Sequence, residues 1–392
     1  MKVVNRVAYL VWPLALLLLA SAWSWLKYGT LRIDAEWYDT AAYLEIAQNG
    51  YEGTALSAYF PGFPFLWRLL SFPAWGMAVV NAVLWLAAVV ALDLKCGIRR
   101  KALVIASVMP QVVFFAIPYA ESLFFVAGTI VAFGLVKKDL RITTLGIFIA
   151  ALIRPNAVVF VPALFLARWF SGEKLGTVFR RGVPELLATL GGVALSFYLQ
   201  SRGNGDFFGF FDAQEVVRRF GWPTLPLESR GGPIVTLMDG TAVVTGLFAG
   251  RTLWHTRRGG QSVLTPVERL GLAGMFVTAF LFLAFGGGQI ASAGRMVFAT
   301  MFFPLALSAW SHTVFQKREL PLLFIGWMLF SLALGSLRDG ALMAYYIGAG
   351  LVIYLVLNAL RSRELRWLSI GILLLLSAAA VVFFYQAGRY MG

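Results

Sequence analysis

Among the ionisable residues in or beside long apolar runs are Asp39, Glu121, Arg154 and Arg295. A charged side chain at membrane depth is costly, so it is read by default as functional and as having a partner. A carboxylate set among arginines supports two chemistries together. The carboxylate can take the proton of an incoming hydroxyl when it lies within hydrogen-bond reach. The arginines can hold an anionic leaving group, a phosphate above all, as charge develops on it. Transfer of a group from a phosphate to a hydroxyl draws on these two roles, and neither requires a metal. The chain has one cysteine, Cys96, and two histidines, His255 and His312. A Cys/His zinc site and a disulfide scaffold are thereby excluded, and no metal or cofactor is expected. Gly286-Gly287-Gly288 ahead of Arg295 permits close backbone approach. It lacks the Lys-Ser/Thr of a phosphate loop.

The residues around Asp39 read as a short helix from Asp34 to Tyr51, with Asp34 as its cap and Gly50 at its end. Spacings of three and four put Glu36, Asp39 and Tyr43 on one face, and Trp37, Ala41 and Leu44 on another suited to a membrane interface. Glu36, one turn away, would raise the proton affinity of Asp39 by like-charge proximity. The plain alternative is that Asp39 is a carboxylate on the helix surface. Ala58 to Arg68 is dense in aromatics. Pro61, Gly62 and Pro64 argue against an ordinary helix start there, and the run suits a dip into the headgroup region.

These segments must be positioned by a membrane fold. Of the 392 residues 59% are hydrophobic and 13% charged, with mean hydropathy +0.77. A soluble domain is about a quarter charged. The composition also excludes a disordered chain. Thirteen spans are read, near 7–26, 74–94, 102–117, 121–136, 142–153, 156–170, 184–200, 232–254, 270–286, 294–311, 320–337, 340–360 and 367–385. The first also fits a cleavable signal, with Lys2 and Arg6 before it and Ala20-Ser21-Ala22 behind. The formal charge of +14 would suggest nucleic acid in a soluble protein, but here it divides by side. With a cytoplasmic N-terminus, 22 of the 33 basic and 7 of the 19 acidic residues lie inside, giving +15 there and −1 outside. That satisfies the positive-inside rule, with anionic lipid headgroups as partners of the inner arginines and no nucleic acid. A single integral domain over 1–392 is expected, with two long outer loops at 27–73 and 201–232 that are ordered and functional. In the second, Phe207, Phe211, Gln214 and Arg218 share a helical stripe that Gly221 and Pro223 can end. An interfacial helix packed on the first loop results.

Several motifs recur in a known order. Tyr38-Asp39, Tyr43-Leu44, Ile46-Ala47-x-x-Gly50-Tyr51 and Tyr59-Phe60-Pro61-x-x-Pro64 come first. Pro118 to Phe124, Arg154-Pro155-Asn156, Asp206 with Ala213-Gln214 and Gly221-Trp222-Pro223, and Ser292-x-x-Arg295-Met296 with Phe303-Pro304 follow. Together they resemble the PIG-V family of mannosyltransferases over roughly residues 34–304. Departures from its pattern are Tyr38, Ala42, Ala120, Asn156 and Met296, whereas the Asp, Glu and Arg positions are kept. The resemblance implies the GT-C fold of multi-span glycosyltransferases. It implies inverting transfer of a sugar, mannose in that family, from a polyprenyl- or dolichyl-phosphate donor to a lipid-linked or glycan acceptor. It also implies an active site on the outer or luminal face. Asp39 would be the base. Glu36 and Tyr43 lie beside it, and Gln214 and Trp222 would contact sugar. Glu121 would cap its helix, bind acceptor hydroxyls or pair with an arginine. Arg154 and Arg295 would hold the donor phosphate or pair with a carboxylate such as Glu121.

Two other classes remain open. A transporter or flippase of lipid-linked glycans would place ionisable groups at the midplane of paired repeats, whereas here the carboxylates cluster toward outer loops and no repeat is visible. A non-catalytic assembly protein would not need Asp39. The short loops favour a prokaryotic plasma membrane.

Overall fold

A computed structural model of the chain describes residues 39–217, 221–224, 227–229, 233–258, 264–311 and 369–375, with isolated positions between 15 and 26. Among the described residues the regular elements are helical. They are α1 (Asp39–Asn49), α2 (Gly62–Leu70), α3 (Ala74–Lys95), α4 (Arg100–Ser107), α5 (Glu121–Lys137), α6 (Leu140–Ile153), α7 (Phe160–Trp169) and α8 (Leu175–Asn204). After them come α9 (Gly209–Val217), α10 (Pro233–Arg258), α11 (Pro266–Phe285), α12 (Ala293–Phe298) and α13 (Phe302–Trp310). Short 3-10 turns at Thr54–Ala58, Pro110–Phe115 and Pro155–Val159 lie between them. α3, α8 and α11 are long and apolar enough to cross a membrane. This is the make-up of an all-α membrane protein. The expected spans 320–337 and 340–360, nearly all of 7–26, and 367–385 apart from a helical stretch at 369–375, lie outside the described residues.

α11 is the central helix, with 67% of its apolar window buried, and α8 is peripheral, with 28%. α11 packs on α7, α10 and α13, while α6 packs on α5 and α8. In lipid there is little hydrophobic drive between helices, so association rests on close packing of small residues. A Cβ on Gly246 of α10 would come within 2.6 Å of the Met275 carbonyl on α11. A Cβ on Gly134 of α5 would meet the Thr143 backbone nitrogen at 2.6 Å. Between α5 and α6, the Asp139 carboxylate accepts the Arg141 N–H at 2.8 Å and so caps the start of α6. One contiguous apolar core runs from Tyr43 on α1 to Trp310 on α13.

Several expectations are corrected. The run 102–117 is not one helix. α4 ends at Ser107, and the chain passes through the Pro110–Phe115 turn before α5 begins at Glu121. Pro110 and Pro118 offer no N–H to a helical ladder. Irregular backbone at this depth is tolerated when protein covers it, and residues 111–120 are all buried. Asn81 of α3 supplies the missing donor, its Nδ2 giving hydrogen bonds to the Ile117 and Tyr119 carbonyls at 2.5 and 2.7 Å. The expected span 294–311 is likewise two short helices, broken at 299–301. The span near 156–170 opens as a 3-10 turn, and that near 184–200 belongs to the longer α8.

The first loop also differs. A helix does start among its prolines, because Pro64 falls in the first turn of α2, where no intrahelical acceptor awaits its missing N–H. Phe60, Phe63 and Trp67 are buried inside the protein instead of dipping toward headgroups. α1 packs inward through Thr40, Tyr43, Ile46 and Ala47, and leaves Ala41 and Leu44 only partly buried. Gly50 ends it at φ 87°, its N–H bonded to the Ile46 carbonyl at 2.9 Å. α9 packs on the Thr54–Ala58 turn, as expected for a second loop resting on the first.

Candidate functional site

Four separate chain segments bring charge to one point. Asp39 is the first described residue of α1, and Glu121 is the first residue of α5. Arg154 closes α6 in extended conformation, because Pro155 disfavours helical geometry before it. Arg295 sits on the short α12. Arg295 Nη1 lies 2.5 Å from Asp39 Oδ2. Its Nε donates to Glu121 Oε1, and Arg154 Nη1 donates to the same oxygen. One carboxylate oxygen therefore bridges two guanidiniums, and two negative charges balance two positive ones. Among the described residues Glu121 Oε2 has no hydrogen-bond partner.

The members differ in access. Glu121 is fully buried and the Arg295 side chain is 3% exposed, whereas Asp39 is 16% exposed. Asp39 is thus the more exposed of the two carboxylates. The Tyr59 hydroxyl donates to its Oδ1 at 3.3 Å. Tyr43 packs edge-on against Tyr59 and Phe63, at centroid distances of 5.2 and 5.1 Å. Burial pushes its phenol well above the usual 10.0, and the Asp39 charge adds to this. At neutral pH Tyr43 is therefore a hydrogen-bond donor. Arg295 lies over the rings of Tyr119 and Phe114, at 4.6 and 5.4 Å. These cation–π contacts and the two carboxylates fix the guanidinium plane.

Met296 shapes the other side. Its Sδ accepts from Arg154 Nη2 at 3.3 Å and from Asn156 Nδ2. Asn156 and Met296, two of the positions that depart from the PIG-V pattern, are in contact with each other.

The structure brings Asp39, Tyr43, Glu121, Arg154 and Arg295 together. Of the two readings open for the arginines, the ion pair with a carboxylate is the one seen. Gln214 is buried on α9, and among the described residues no hydrogen bond joins it to this network. Trp222 is 85% exposed on the segment after α9. Glu36, Arg218 and Arg219 lie outside the described residues. Among those described, no group of three His, Cys, Asp or Glu side chains could hold a metal ion.

Three residues of the site were missed from the sequence. Tyr59 was noted only as part of an aromatic motif, and Asn81 holds the segment that carries Tyr119. Asp239, inside the run 232–254, accepts N–H bonds from the start of α12. A lone polar side chain within an apolar span was the available signal for both Asn81 and Asp239. The Gly286-Gly287-Gly288 run does allow the close approach its composition permits. The Gly287 N–H donates to the Gly221 carbonyl at 3.1 Å, and Glu228 N–H to the Gly288 carbonyl at 2.8 Å. Gly288 has φ 83°, and a Cβ there would sit 2.3 Å from the Thr224 hydroxyl.

No family model matches the chain, and neither a curated protein nor a solved structure was found similar to it. What the geometry provides is a partly exposed carboxylate, Asp39, bonded by the Tyr59 hydroxyl and paired with the buried Arg295, with Glu121 joining that guanidinium to the one of Arg154.

Proposed function

We propose that the chain is an inverting glycosyltransferase of the GT-C type. It moves a sugar, mannose by the PIG-V resemblance, from a polyprenyl-phosphate donor to a lipid-linked or glycan acceptor. The observation that carries this reading is Asp39. It is the most exposed member of an otherwise buried set of paired charges, and its partner Arg295 is fixed on three sides. A base at the entrance and cations behind it match the two demands of sugar transfer from a phosphate.

In the reaction, Asp39 takes the proton of the acceptor hydroxyl. The acceptor oxygen bonds to the anomeric carbon from the face opposite the phosphate. The bond from that carbon to the phosphate oxygen breaks, and the electron pair leaves with the lipid phosphate. Arg295 and Arg154 stabilise the charge that appears there. Tyr43 and Tyr59 orient the acceptor through their hydroxyls. The reaction faces the outer side of a prokaryotic plasma membrane, within a bundle of membrane helices.

The test is transfer of labelled mannose from polyprenyl-phosphate-mannose into a lipid extract by purified, reconstituted protein. General bases contribute about 10²–10⁴-fold, so Asp39→Asn is expected to lose at least about 100-fold in rate while remaining folded, with an unchanged elution profile. A folded Asp39→Asn protein with full transfer would overturn the assignment.

A further inference from the structure

α12 is only six residues long and lies between two breaks in regular structure, yet it carries the arginine on which the site depends. Its own start offers no side-chain cap, and Ser292 there has φ 69°, outside the range most side chains favour. A carboxylate from another helix takes the place of a cap. Asp239 of α10 is buried, with its Oδ1 accepting the Gly294 N–H at 2.8 Å and its Oδ2 accepting the Ser292 N–H at 3.2 Å. The same Oδ2 accepts the Ser229 hydroxyl at 2.7 Å. Gly294 also packs directly on α10, since a Cβ there would lie 3.2 Å from the Met238 backbone.

We propose that Asp239 is the positioning residue for Arg295, holding α12 in the register that aims the guanidinium at Asp39 and Glu121. It accepts its hydrogen bonds here from the backbone of residues 292 and 294 and from the Ser229 hydroxyl. Its hydrogen bonds to charged oxygen fix the backbone one and three residues before Arg295, and such bonds are the stronger kind. Through Ser229 the same carboxylate ties the segment 221–229 to α12. That segment is also laced to the glycine run by the Ile290 N–H bond to the Glu228 carbonyl at 2.8 Å. Asp239 therefore links the second long loop to the position of Arg295. This deepens the reading of Arg295 as part of the site and rests on that reading.

The test needs no turnover. Arg295 covers Asp39 Oδ2, so withdrawing the guanidinium exposes that oxygen to a membrane-permeant carbodiimide. Modification of Asp39 is read by mass spectrometry in the reconstituted protein, with the exposed Asp212 as internal control. Arg295→Ala and Asp239→Ala are each expected to raise Asp39 modification several-fold, and by similar amounts. The double variant is expected to match Arg295→Ala alone, because residues acting as one unit are not additive. Asp239→Asn, which keeps one acceptor for the Gly294 N–H, gives a smaller rise and serves if the alanine variant is not recovered. Unchanged Asp39 modification in both Asp239 variants, alongside a rise in Arg295→Ala, would overturn the proposal. So would additive effects. Failure of the transferase reading shows separately, as absence of sugar transfer by the wild-type protein.

Discussion

Glu121 is the residue with most to lose. Its Oε1 is shared by Arg154 and Arg295, and the group is fully buried. Glu121→Gln would leave two buried guanidiniums with only Asp39 to balance them. Removing one partner of a buried pair costs about 3–5 kcal/mol. The variant is expected to lower the melting temperature clearly and to lose sugar transfer, whereas Asp39→Asn, which breaks one ion pair of a partly exposed carboxylate, costs less stability. A thermal-shift comparison of the two purified variants checks this. At this scale the sequence was informative about identity and silent about partnership. Asp39, Glu121, Arg154 and Arg295 all stand out as charges beside apolar runs. Nothing in their spacing tells that Glu121 meets Arg295, which lies 174 positions away. Tyr59 was harder still, because a tyrosine among aromatics gives no sign that its hydroxyl reaches a carboxylate.

At the scale of the element, the site depends on backbone that is not helical. The stretch between α4 and α5 aligns Phe114 and Tyr119 under Arg295 because Asn81 holds its carbonyls. Asn81→Ala would orphan the Ile117 and Tyr119 carbonyls in a buried place, at about 1–3 kcal/mol for each unsatisfied group. The expected result is a destabilised protein whose transfer rate falls further than its folded fraction does, since Tyr119 no longer backs Arg295. Parallel melting and transfer measurements separate the two effects. Apolar periodicity located α3, α5, α6 and α11 well. It ran through the breaks at 108–120 and 299–301 because hydrophobicity is continuous across them. The interruption is signalled by Pro110 and Pro118 in the first case. In the second, nothing as strong marks it, since Pro304 falls in the first turn of α13. Pro61 and Pro64 misled in the opposite direction, because proline is compatible with a first turn.

For the whole molecule, composition alone announced a helical membrane protein, and the described helices agree. Orientation comes from the division of Lys and Arg between the two sides. Asp212 lies on the short helix that packs against the turn after α1, and Lys174 lies at the start of α8, and both are exposed. In a Cys96→Ser background, a cysteine placed at position 212 is expected to react with a membrane-impermeant maleimide on intact cells. One placed at position 174 is expected to react only after permeabilisation. The reverse pattern would put the site on the cytoplasmic side.

The division of the charge network among four distant segments also bears on how the protein is made. Asp39, Glu121 and Arg154 leave the ribosome long before Arg295. At about 5–20 residues per second, the 141 positions between Arg154 and Arg295 represent roughly 7–28 s of synthesis. Throughout that interval the growing chain holds two carboxylates against one guanidinium, a surplus of negative charge that the lipid interior does not accept. The first half must wait, partly open or guarded by the insertion machinery, until the arginine that neutralises it arrives. A nascent fragment that stops short of residue 295 would therefore carry a mark of its own incompleteness.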